Sequence, residues 1–229
     1  MTGIVVHVLN RAVRRDRIFT TPRDYEAFLR IVLEAQERIP LPILAFCIMP
    51  NHWHFVVWPT DADQVSRFMH WLTSTHAVRW HAAHGSVGTG ALYQGRFKSF
   101  PMQSDGHVLR ACRYVERNAL RAGLVARAED WRWGSLWRRV HGDCPRLLSP
   151  GPLSLPDDWT DWVNAVETEE ELAAVRRSAQ RGVPFGSSTW TESTAAEWGL
   201  TSTLRRRGRP ARLGPEGATI NGAADSLIE

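Results

Sequence analysis

Ile43-Leu44-Ala45-Phe46-Cys47-Ile48-Met49-Pro50-Asn51-His52-Trp53-His54-Phe55-Val56-Val57-Trp58 holds two apolar runs parted by Pro50-Asn51. A fixed proline φ followed by a turn-tolerant asparagine is turn chemistry, so the runs are expected to be antiparallel strands. Side chains alternate along a strand at period two, which sends Trp53, Phe55 and Val57 to one face and His52 and His54 to the other. Upstream, residues 3–9 alternate loosely as a first strand, followed by a basic connection bearing Arg11, Arg14, Arg15 and Arg17. Thr21-Pro22 then opens a helix, with threonine as N-cap and proline in the first turn. Its apolar stripe is Tyr25, Phe28, Leu29, Val32 and Leu33.

Downstream, a second helix is expected from about Ala62 to Ala83, a strand over 94–102, and a third helix capped by Ser104 and running to about Arg121. The order β, α, β, β, α, β, α gives an α+β class: a ferredoxin-like antiparallel sheet with helices on one face, leaving the other face free for chemistry. Trp131, Trp133 and Trp137 suggest a further short helix packed on the body. The chain divides into a main unit at 1–141, a Pro/Gly/Ser-rich linker at 142–160, a helical and basic extension at 161–212 and a polar tail at 213–229.

The 229 residues, 43% of them hydrophobic, are enough for one full core and a small appendage. No basic leader precedes Ile4-Val5-Val6 and no small-residue cleavage site follows it, so neither secretion nor a membrane span is expected; the location read from this is cytoplasmic, at the nucleoid. Cys47, Cys112 and Cys144 are odd in number and widely spaced, which fits buried thiols better than a disulfide or zinc framework. A net charge of +4, with Lys98 as the sole lysine among 28 basic residues, favours a polyanionic partner, although codon bias would produce the same arginine excess.

Two histidines leaving one strand face can converge on a metal ion, but HxH alone is more often an exposed polar face. The third helix adds to the case. At about 100° per residue, Val108, Leu109, Cys112, Val115 and Ala119 form its inward stripe, while Tyr114 lies nearly opposite and Asn118 one turn further on the same side. Arg110, Arg113, Arg117 and Arg121 flank them. Packing would place a tyrosine on the stripe; phosphate chemistry explains it better where it is. Gln94, Arg96 and Lys98 share one face of their expected strand and could follow a DNA backbone, an ordinary solvated face being the equal alternative.

Phe46 to Val57, Gln94-Gly95-Arg96-Phe97-Lys98-Ser99 and Arg113-Tyr114-Val115-Glu116-Arg117-Asn118-Ala119-Leu120-Arg121-Ala122-Gly123-Leu124-Val125 together resemble the three signature blocks of REP-associated tyrosine transposases. These are relatives of the single-tyrosine HUH transposases of small bacterial insertion sequences. The resemblance covers roughly residues 4–140. It implies a ferredoxin-like nuclease with His52, His54 and Asn118 as ligands of a divalent ion, Mg2+ or Mn2+, and Tyr114 as nucleophile. It also implies single-stranded or hairpin DNA as substrate, a 5′-phosphotyrosine intermediate, and a monomer or a homodimer that exchanges tyrosine helices. Arg11, Gln94, Arg96, Lys98, Arg110 and Arg117 are the candidate DNA contacts. The chain departs from the family at Asn10-Arg11-Ala12, where Arg-Gly is common, and at Glu116-Arg117-Asn118-Ala119-Leu120, where a His-Leu-Asn-Pro-Val type run is common.

Near the C-terminus, Arg207-Gly208-Arg209-Pro210 resembles the core of an AT-hook, whose extended Arg-Gly-Arg enters an A·T-rich minor groove. Two other functions stay open: a catalytically idle protein that binds hairpin DNA, and a metal-dependent phosphoesterase that activates water. The absence of Asp and Glu from the HxH block speaks against the second of these.

Overall fold

A computed structural model describes residues 3–104, 106–142, 147–152 and 154–205. Arg207, Gly208, Arg209 and Pro210, the polar tail and Cys144 lie outside the described residues. Strands β1 (Val5–Arg11), β2 (Ile43–Met49), β3 (His52–Val57) and β4 (Lys98–Met102) form one antiparallel sheet in the order β2-β3-β1-β4, the ferredoxin-like arrangement. The Pro50-Asn51 turn falls between β2 and β3 as expected.

Helix α1 (Pro22–Arg38) opens with the carboxylate of Asp24 accepting from the Thr20 and Thr21 amides at 2.9 and 2.8 Å, so two free N–H groups at its entry are satisfied. Helices α1 and α2 (Gln64–Ala83) cover one sheet face, where Phe28, Phe68, Met69 and Leu72 meet Trp53, Phe55 and Val57 in a continuous core. Beneath that core, Trp53 Nε1 donates to the Tyr93 hydroxyl at 3.1 Å, and the same hydroxyl lies 2.6 Å from His76 Nδ1. This buried chain bonds β3 to α2.

The helix-on-one-face expectation holds for α1 and α2, but α3 (Gly106–Glu116) packs on the opposite face, the one that carries the histidines. Val108, Ala111, Cys112 and Val115 meet Val5, Ala45, Cys47 and Val56 there. A short helix α4 (Asn118–Arg121) continues α3 after a kink at Arg117. Four helices follow on that side or beyond it, α5 (Ser135–His141), α6 (Trp159–Asn164), α7 (Glu169–Arg181) and α8 (Ser188–Glu197), and then α9 (Thr201–Leu204). Because α6 and α7 lie against its back, α3 is buried almost all round, including Arg113, Tyr114 and Glu116, where periodicity alone predicted a single buried stripe.

Glu116 explains how that is tolerated. Its carboxylate, 1% exposed, accepts from Ser135 Oγ at 2.5 Å, Trp159 Nε1 at 2.6 Å and Arg139 Nε at 3.0 Å, tying α3 to α5 and α6 with the charge fully compensated. Both sheet edges also have backbone partners. The Ile48 amide donates to the Trp133 carbonyl outside β2, and Phe185 exchanges bonds with Pro101 and Gln103 outside β4, so each edge is covered in part. Inside the Pro/Gly/Ser-rich stretch, Leu147 is buried and the Ser149 amide donates to Ile43.

Candidate active site

On β1 and β3 the pleat aligns Arg11 with His52 and Leu9 with His54, so Arg11 and both histidines share the face that α3 covers only in part. The gap beside α3 is a cavity of about 570 Å³, and His52, His54, Tyr114 and Asn118 all line it. The two imidazole centroids are 5.0 Å apart at 82°, and the Tyr114 ring meets His54 edge-on at 6.1 Å. Tyr114 is 8% exposed, so it is buried rather than solvated, yet it is turned toward the histidines.

The Nδ1 of each candidate ligand is taken. His52 Nδ1 lies 2.6 Å from Asn51 Oδ1, to which it donates, and His54 Nδ1 lies 2.9 Å from His7 Nε2. Nε2 is therefore the free nitrogen on both rings. Asn118 Nδ2 is buried without a hydrogen-bond partner, so the protein does not anchor that end of the amide, leaving it able to turn its oxygen to a cation. No group of three His, Cys, Asp or Glu side chains that could by itself hold a metal ion occurs among the described residues. Two imidazoles and an amide are a mixed nitrogen and oxygen donor set that suits a divalent ion while leaving coordination positions for substrate.

Burial, then the charge of Arg11, lowers the pKa of His52 to about 4, and burial, then His7 and His52, holds His54 well below its ordinary value. Burial alone takes His7 to about 3, and burial, opposed by the charge of Asp24 and aided by His84, takes His76 to about 3. All four imidazoles are thus neutral at neutral pH, the state a ligand requires. The same depression sets an acid limit on stability. A histidine with a lowered folded pKa stabilises the fold fully above about 6.5, the unfolded value, and loses that contribution as pH falls toward 4 and then 3. Each such group steepens the loss by up to ~1.4 kcal/mol per pH unit within that window. Urea unfolding at pH 7.5, 6, 5 and 4 is expected to show a flat region and then a steep fall below 6.5; a stability unchanged down to pH 4.5 would refute it.

Of the other expected contacts, Arg11, Gln94, Arg96 and Lys98 line the same cavity. They do not share a strand face, because β4 begins only at Lys98. Gln94 instead sits in an irregular segment held to β1 by its own amide donating to the Arg11 carbonyl at 3.0 Å and by Asn10 Nδ2 donating to Gly95.

A family model of IS200-like transposases matches residues 1–118, about half of the 229-residue chain, and so spans both histidines, Tyr114 and Asn118. The chain belongs to the IS200-like transposase family. Its fold is similar to that in the structure of a REP-associated tyrosine transposase bound to a REP hairpin, with 17% identity and a TM-score of 0.51 over 73% of this chain and 93% of that one. A second solved chain, from Deinococcus radiodurans and described as a transposase, is 15% identical at a TM-score of 0.39, covering 45% of this chain and 82% of its own length. No curated protein matches. No helix among the described residues is long and apolar enough to cross a membrane.

Two expected DNA contacts lie away from the transposase's cavity. Arg110 is exposed beside a separate concavity lined by Glu170, Glu171 and Arg177. Arg117 is spent within the fold: its guanidinium donates to the Val163 and Asn164 carbonyls at 2.9 and 2.5 Å and pairs with Glu167 at 3.4 Å. Arg113 and Arg121, one helical turn to either side, are committed in the same way, Arg113 to the carbonyls of Trp162, Ala165 and Val166, and Arg121 to Glu167 at 2.5 Å. The row at i, i+4 and i+8 that reads as a basic DNA face is a latch holding the C-terminal extension on the tyrosine helix.

Arg121 also has a place in the site. Its guanidinium lies over the Tyr114 ring, 4.1 Å from the centroid, and donates to the Tyr114 carbonyl at 2.8 Å. Sequence reading counted it only as a flanking charge. Arg176 and Gln180, one turn apart on α7, complete the cavity wall from beyond the family-matched residues, and Lys98 Nζ donates to the Gln180 carbonyl at 3.4 Å. No local signal could have found them, since the chain separation is more than eighty residues from Lys98 to Gln180.

Proposed function

We propose that this transposase is a metal-dependent endonuclease and strand transferase for single-stranded DNA, working on palindromic hairpin DNA at the nucleoid, with Tyr114 as nucleophile. The observation that carries the reading is the convergence of Tyr114, His52, His54 and Asn118 on one cavity. His52, His54 and Asn118 would hold Mg2+ or Mn2+. When bound, the ion supplies Lewis-acid polarisation of a non-bridging phosphate oxygen.

The chain's own groups account for the remaining chemistry. The Tyr114 oxygen attacks the scissile phosphorus as its proton departs, the bond from phosphorus to the 3′-oxygen breaks, and that oxygen leaves as a free 3′-OH. The 5′-phosphate remains esterified to tyrosine. A phenol is a better leaving group than an alkoxide, so attack by an incoming 3′-OH reverses the step without ATP. The Arg121 guanidinium, paired with Glu167 at 2.5 Å, lies over the ring at 4.1 Å and holds the attacking group in place. Arg11, Arg96 and Lys98 supply cationic contacts for a strand lying across the opening.

Burial of Tyr114, or its turning from the histidines, would favour the idle DNA-binding reading; the tyrosine is buried, which speaks for that reading, but its ring faces the histidines, which speaks against it. The deciding experiment incubates the protein with hairpin oligonucleotides carrying a single-stranded flank, in Mn2+, in Mg2+ and in EDTA. A denaturation-resistant protein–DNA adduct that needs the metal is the expected result. Cleavage with no adduct would establish the water-activating phosphoesterase instead, and bound but intact DNA in every metal would establish the idle binder.

A further inference from the structure

His7 lies in the middle of β1 with 0% exposure, a polar ring at a position where an apolar residue would serve packing better. Burying an imidazole forfeits its hydration, and His7 Nδ1 recovers none of it, having no hydrogen-bond partner. Stability therefore does not account for a histidine here. Its other nitrogen has one contact: His7 Nε2 is 2.9 Å from His54 Nδ1, with the rings nearly parallel at 19° and their centroids 5.0 Å apart. The pleat dictates this meeting. His7 opposes Val56, so His54 is its diagonal neighbour on the same face, within reach of a ring. Phe100, edge-on at 4.7 Å, fixes the His7 ring from the other side.

Only one of the two bonded nitrogens can carry the proton. If His7 donates, the proton of neutral His54 sits on Nε2, and the nitrogen left for a cation has no lone pair. If His54 donates, its Nε2 is a bare lone pair. We infer that His7 is a positioning residue for the metal ligand His54, accepting from His54 Nδ1–H and so holding that ring in the tautomer and orientation that present Nε2 to a divalent cation. This rests on the reading of His54 as a ligand. The neighbouring ligand is held by the same device, since Asn51 Oδ1 accepts from His52 Nδ1 at 2.6 Å. Each ligand thus has one dedicated acceptor, an amide oxygen at the open end of β3 and a buried ring one residue pair deeper in the sheet.

The test is Mn2+ affinity by calorimetry on the full-length protein as wild type, His52→Ala, His7→Phe and His7→Gln. Loss of an outer-shell partner weakens metal binding about 10–100-fold, and that is the effect expected for His7→Phe. His7→Gln, whose amide oxygen can still accept, is expected to recover most of the affinity. A packing role would lower thermal stability in both variants and leave the affinity alone. A folded His7→Phe that binds Mn2+ within about twofold of wild type overturns the inference. Imidazole 15N spectra of Mg2+-loaded wild type and His7→Gln give a second readout if His7→Phe does not fold: the His54 proton is expected on Nδ1 in both, and a proton on Nε2 in wild type overturns the inference. Should wild type bind Mn2+ no better than His52→Ala, the ligand reading itself fails, a different outcome from failure of His7 alone.

Discussion

Tyr114→Phe is expected to abolish covalent adduct formation and strand cleavage, by at least about 10³-fold, while DNA binding stays within about twofold of wild type and the fold is unchanged. The structure makes this a clean substitution. The contacts that seat residue 114 are contacts of its ring: edge-on to His54 at 6.1 Å and to His7 at 6.4 Å, and under the Arg121 guanidinium at 4.1 Å. Phenylalanine keeps all three. What disappears is the oxygen that would bond to phosphorus. Denaturing gels with labelled hairpin DNA measure the adduct, and thermal unfolding checks the fold. Cleavage that persists in Tyr114→Phe would mean that water is the nucleophile and that the cavity serves another chemistry.

The parts of this site that were legible in the sequence are those fixed by short-range geometry. Period-two alternation puts His52 and His54 on one face whatever surrounds the strand, and the four-residue spacing keeps Tyr114 and Asn118 on one side of the helix even across the kink at Arg117. What alternation cannot report is what covers a face. The helix period places Tyr114 opposite the inward stripe and says nothing of what lies there; α6 and α7 give the helix a second buried side. His7 is illegible for a related reason, since one histidine in a loosely alternating strand has the pattern of an outward polar residue until its diagonal neighbour is known to be His54. Within the second departure from the family, Glu116 and Arg117 are likewise unreadable locally, yet both have long-range partners, Trp159 and Ser135 for the first and Val163, Asn164 and Glu167 for the second.

Arg113→Met is expected to destabilise the transposase by about 3–5 kcal/mol and, unlike Arg110→Ala, to weaken DNA binding as well. Arg113 is 4% exposed and spends its guanidinium entirely inside the protein. Its Nε donates to Trp162 at 2.8 Å and its Nη2 to Ala165 at 2.8 Å, and the group also stacks over the Trp162 ring at 4.9 Å. Methionine fills much of the volume but satisfies none of the carbonyls, which end α6 and lead into α7. Glu171 loses a partner at 3.3 Å, and more cheaply, because it is partly exposed. The same loss reaches the cavity, since α7 carries Arg176 and Gln180 and depends on the row Arg113, Arg117 and Arg121 to lie where they line the opening. Exposed Arg110, which has no such partners among the hydrogen bonds of the latch, is expected to change stability by less than about 0.5 kcal/mol. Chemical unfolding and salt-matched titration of hairpin DNA separate the two effects. If Arg113→Met unfolds earlier but binds DNA as wild type does, the extension is a brace for the tyrosine helix and no part of the DNA surface; if affinity falls at temperatures where the variant is fully folded, the latch sets the shape of the site.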